Sequence, residues 1–70
     1  MNDLDARLIA AHSAEDQKAL VELYQEAAHQ AKGDKTRKSF YLTHAYVFAL
    51  EQNHPDQRKL KAQLQAMDAL

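Results

Sequence analysis

Four histidines, His12, His29, His44 and His54, are the side chains in this 70-residue chain best suited to chemistry. Imidazole binds metals and exchanges a proton near neutral pH. Two histidines four residues apart on one helix would form a metal-binding face, but none of these four has a neighbour at that spacing. Glu26 and His29 repeat the Glu-x-x-His spacing of carboxylate-bridged metal bundles, which require a second such motif and inward-facing carboxylates. Here the pair is expected to project away from Leu20, Leu23 and Ala27, into water. A phosphate-cradling loop cannot be built with one glycine. Ser13 and Ser39 sit where capping or early-helix residues belong, and no two carboxylates share an apolar face that would drive their pKa values apart. The sequence therefore predicts no enzyme, no metal and no cofactor.

His44 stands apart because it lies among Phe40, Val47 and Phe48. It is either a histidine at the edge of a helix contact or a polar anchor in an aromatic groove. In the second reading Phe40, His44, Val47, Phe48 and, one turn further, Glu51 line a partner-binding surface. Tyr24, Tyr41, Tyr46, Phe40 and Phe48 are core by default, yet a domain this small has few helices to hide them. Any left exposed would suit binding, since aromatic side chains dominate interface energetics.

The elements that position these residues follow from punctuation and period. Gly33 and Pro55 are the only glycine and proline. A first helix is predicted over 3–11, carrying Leu4, Leu8 and Ala11. Ser13 is read as the N-cap of a second helix running through 32, with Glu15 and Asp16 in its positive first turn. Leu20, Leu23, Tyr24, Ala27, Ala28 and Ala31 form its buried stripe, opposite Lys18, Glu22, Gln25 and His29. Gly33 fits a left-handed C-cap and Asp34 the next N-cap, so the connection is short and an antiparallel helical hairpin is expected. The third helix, about 35–53, is apolar on both sides. Leu42, Ala45, Tyr46, Ala49 and, nearer the edge, Leu50 share one side, with Phe40 and Val47 across from them and Tyr41 and Phe48 on a flank, which predicts a helix sandwiched between two others. A fourth helix is expected to begin with Pro55 at its first position and to pack through Leu60, Leu64 and Met67, with Leu70 extending the stripe.

Composition sets the outer bounds. A chain of 70 residues makes one domain and buries only about 60% of its unfolded surface. It has no cysteine, hence no disulfide or thiolate metal site. An acidic opening without an apolar run predicts no signal peptide, and the longest apolar run, 45–50, falls far short of the ~20 residues that span a bilayer. A cytoplasmic protein is the expectation. Nine basic against ten acidic side chains leave no basic excess, which argues against nucleic-acid binding. The local cluster Lys32, Lys35, Arg37 and Lys38 keeps a helix-turn-helix nucleic-acid binder as a further alternative.

The run Gly33-Asp34, then Tyr41-Leu42-x-x-Ala45 and Ala49, closing at Pro55, resembles the second half of a tetratricopeptide repeat. In that family, helices joined at such a turn pack small residues at their close crossing. Leu42 would take the large apolar position and Ala45 the small one. In the first half, Leu20-x-x-Leu23-Tyr24-x-x-Ala27 stands where the family has Trp-x-x-Leu-Gly-x-x-Tyr, and Lys38 replaces an early alanine. The whole chain is also similar to small bacterial helical-hairpin proteins, a likeness that carries no activity. An all-α fold of three to four helices is expected, with the resemblance implying a protein–protein interaction module. Self-association into a homodimer through the same surface is the alternative.

Overall fold

A computed structural model describes residues 3–68, and within them the chain is all-α, with four helices and no strand. They are α1 (Asp3–Ser13), α2 (Gln17–Gln30), α3 (Lys35–Glu51) and α4 (Gln57–Ala66). Leu70 lies outside the described residues, so its place in the last stripe is not described.

The core forms where α2, α3 and α4 meet. Val21 and Ala28 of α2, Leu42, Ala45 and Ala49 of α3, and Leu60 and Leu64 of α4 make one buried cluster, flanked by half-buried Tyr24, Tyr41, Tyr46, Phe48 and Met67. Two alanines at the centre of α3 let its neighbours approach closely. The buried leucines of α4 contribute about 1.5–3 kcal/mol each on removal from water. α1 packs on α2, where Leu4 and Ala11 bury on one helix and Leu20 and Ala27 on the other. At one end, Gln17 of α2 meets Glu51 of α3 (3.5 Å). At the other end, 31–34 join the same two helices, a pattern that reversal of direction in that connection produces.

The turns differ from expectation in instructive ways. Ser13 is not an N-cap: it is the last residue of α1, and Asp16 caps α2 by accepting from the Ala19 N–H (3.1 Å). α1 outlasts its predicted end because its close is built from backbone. The Asp16 N–H donates to the Ala11 carbonyl (2.9 Å), and the Glu15 N–H to that of His12 (3.2 Å). That pattern is a Schellman motif with Glu15, at φ 54°, in the left-handed position usually held by glycine. α3 ends two residues early by the same device. Asn53 sits at φ 52°, the His54 N–H donates to Ala49 (2.8 Å), and the Asn53 N–H donates to Leu50 (3.3 Å).

Gly33 does adopt a left-handed conformation, φ 85°, but lies beyond the α2 cap residue Ala31. It occupies the third position of a turn closed by the Asp34 N–H on the Ala31 carbonyl (3.1 Å), where positive φ is required. Asp34 then caps α3 through the Arg37 N–H (3.0 Å), as expected. Pro55 is not the first residue of α4: Asp56 follows it and the helix begins at Gln57. The Asp56 carboxylate makes no cap and instead accepts from Gln25 Nε2 (3.0 Å), tying α2 to the 52–56 connection. Gln25 is accordingly half-buried and not on the solvated side where its period placed it.

The largest correction concerns α3. It does lie between two neighbours, packing against both α2 and α4, but both meet it through Leu42, Ala45 and Ala49. The second apolar side is uncovered: Phe40 is 56% exposed, Leu50 49% and Val47 45%. The Cα atoms occupy 31 × 29 × 12 Å.

Candidate protein-interaction surface

The outer face of α3 begins with its period. Thr36, Phe40, Thr43, Val47 and Leu50 follow one another at intervals of four, three, four and three residues, and all five are exposed. This is the a/d spacing of a helix-pairing seam. Thr43 donates its hydroxyl to the Ser39 carbonyl (2.7 Å), one turn back, which leaves the methyl as its contact group. The seam is therefore apolar along about three turns.

Beside it lies an aromatic cluster that stiffens one flank. Phe40 and His44 have ring centroids 4.3 Å apart, and His44 packs on Tyr24 at 5.2 Å. His44 Nδ1 lies 2.9 Å from the Phe40 carbonyl, which can only accept, so Nδ1 carries the proton and donates. Tyr24 stacks on Phe48 at 5.9 Å, and its hydroxyl meets His12 Nε2 at 2.9 Å. Burial pushes the Tyr24 phenol above its ordinary pKa, with Tyr41 adding to the shift.

The five sequence-predicted partner residues thus divide. Phe40 and Val47 stand in the exposed seam, with Glu51 on its rim and half-buried His44 bridging seam and cluster. Phe48 does not line the surface as proposed; it turns inward against Tyr24 and His12. Its position on the α3 wheel, next to Tyr41, faces α2, and that side is filled. Leu50, which the sequence placed with the buried set, belongs to the exposed surface instead. The regular four-three spacing from Thr36 to Leu50 was the signal that would have grouped it with Phe40.

A second concavity of about 510 Å³ runs along α1 and α2, floored by Ala10, Ala14, Ala19 and Leu23 and edged by Arg7 and Glu26. Arg7 holds Glu26 in an ion pair and lies 3.1 Å from Asp3. Its pKa is raised, chiefly by the hydrogen bond to Glu26. Glu26 is thereby spent on a helix–helix bridge, and His29 is exposed on another side of α2. Among the described residues no three histidine, aspartate or glutamate side chains converge to hold a metal ion.

Comparison with protein-family models, with curated proteins and with solved structures gives no match. No described helix is long and apolar enough to cross a membrane.

Proposed function

We propose that this chain is a non-enzymatic protein–protein interaction module, a tetratricopeptide-like hairpin with flanking helices that docks a partner on the outer face of α3. The observation that carries this reading is the exposure of Phe40, Val47 and Leu50 on one face of the helix whose other face, Leu42, Ala45 and Ala49, is buried in the core. Large side chains on a rigid helix lose little freedom on binding, and aromatic anchors at a seam are the usual hot spots. The tight turn at Gly33-Asp34 and the buried Ala45 and Ala49 support the tetratricopeptide-like comparison. A helix-turn-helix reading gains nothing from this face, because a recognition helix presents polar and basic side chains to base edges.

The test is affinity capture from the native host with the intact chain and with Phe40→Lys and Val47→Lys. Both positions are about half exposed, so each variant should retain its helical circular dichroism. Specific co-purifying protein is expected with the wild type and lost with both variants. Capture unaffected by either substitution removes the α3 face from consideration.

A further inference from the structure

The geometry points to a second copy of this chain as the occupant of the α3 seam, paired antiparallel about a twofold axis near Ala45; this rests on the docking reading above. The choice of occupant comes from charge. With Phe40 and Val47 at a positions and Thr43 and Leu50 at d positions, Arg37, His44 and Glu51 fall on one flank, the e positions. In an antiparallel pair, e positions face e positions across the seam. Arg37 of each copy then lies against Glu51 of the other, twice by symmetry, with His44 near the axis. Both residues are exposed, Arg37 at 65% and engaged only loosely with Asp34 at 3.9 Å, and Glu51 with a long contact from Gln17 at 3.5 Å. The other flank carries Ser39, Tyr46 and Asn53, so no like charges meet there.

The same register satisfies the apolar side chains. Phe40 meets Leu50 of the second copy and Thr43 meets Val47, so a large group faces a large one at the ends and smaller groups pack near the axis. A parallel pair would set e against the uncharged opposite flank, giving Arg37 and Glu51 no charged partner across the seam and aligning both helix dipoles. Antiparallel packing sets the dipoles in opposition. An isologous contact of this kind closes on itself, so it gives a dimer and no fibre.

The interface is small. The three exposed apolar residues present on the order of 300 Å² per copy, roughly 600 Å² in the pair, against ~1,200 Å² or more for stable complexes. The dimer should accordingly be weak, with a dissociation constant in the range of about 10 μM to 1 mM.

Sedimentation equilibrium of the full chain from about 10 μM to 2 mM covers that range. A monomer–dimer equilibrium is expected, lost with Val47→Lys and with Phe40→Ser while helicity is retained. Arg37→Glu and Glu51→Arg should each weaken association several-fold, since two exposed ion pairs become two repulsions. The double charge swap should restore it. A monomer at every concentration overturns the proposal, as does a dimer indifferent to Val47→Lys or one not rescued by the swap. A monomer that still loses a captured cellular partner on Val47→Lys leaves the docking surface standing and removes only its self-pairing.

Discussion

Gly33→Ala isolates backbone strain from packing. Gly33 holds φ 85°, and a Cβ placed there would meet no heavy atom within 4 Å. Any loss on substitution therefore comes from the left-handed conformation, which costs a residue bearing Cβ about 1–2 kcal/mol. Alanine also reduces the freedom of the unfolded chain, returning about 0.4–1 kcal/mol. The net effect is a destabilisation of about 0.5–1 kcal/mol, or roughly 3–6 °C in Tm for a domain of this size. Glu15→Gly runs the same terms in reverse, because Glu15 already bears a side chain at φ 54°. It should stabilise by about 0.5 kcal/mol, the glycine gaining conformational relief and losing a little unfolded-state advantage. Urea unfolding followed by helical circular dichroism resolves both, since a slope near 1 kcal/mol/M turns each change into a midpoint shift of about half a molar or more. Gly33→Ala as stable as wild type, or two shifts of the same sign, would refute the assignment of these turns.

Ala49→Leu should cost about 1–3 kcal/mol by overpacking the filled side of α3, whereas Val47→Lys, two residues away on the open side, should stay within about 0.5 kcal/mol; thermal unfolding of the two variants makes the comparison. His54 is buried, and its Nδ1 accepts the Asp56 N–H at 3.0 Å. His54→Ala leaves that donor without its partner and should lose about 1–3 kcal/mol, part of which His54→Asn should recover because its side-chain oxygen can accept two residues on. The raised Tyr24 pKa means that the folded state holds the phenolic proton more firmly than the unfolded chain. Its contribution is intact below about pH 10 and is lost as pH rises above the unfolded value. Stability measured from pH 9 to 11.5 should fall more steeply in the wild type than in Tyr24→Phe.

How much of this was legible depended on whether side chains or backbone carried the signal. The four helices were readable from apolar period, and Gly33 with Asp34 marked the central turn correctly because glycine and an N-cap acid announce themselves chemically. The α1–α2 turn was misread at Ser13 because its stop is made by Glu15 in a conformation glutamate rarely takes, and no composition rule flags that. Asn53 hid the end of α3 in the same way, and Pro55, the visible breaker, stands two residues further on. Periodicity on α3 identified two apolar sides correctly as pattern. Which of them would be filled could not be read from α3 alone, because coverage depends on how many neighbours the slab places around it. Phe48 shows the limit most clearly: one residue from Val47 in sequence, it lies about 100° round the helix and is held inward by Tyr24.

The uncovered side of α3 is costly for so small a protein. Burying a large apolar side chain is worth about 1.5–3 kcal/mol, so three half-exposed ones forgo roughly 2–4 kcal/mol. At about 0.05–0.15 kcal/mol per residue the whole chain has only some 3–10 kcal/mol of net stability. The forgone amount is a large fraction of that total. The loss is not forced by backbone geometry, because lysine or glutamate at Phe40 and Val47 would suit an exposed helix face equally well and aid solubility. On the proposed reading, the apolar seam at regular a/d spacing, with Arg37 and Glu51 at matched distances from its centre, is kept because a molecule from outside the chain covers it. A covering molecule that binds the folded state alone adds its binding energy to folding.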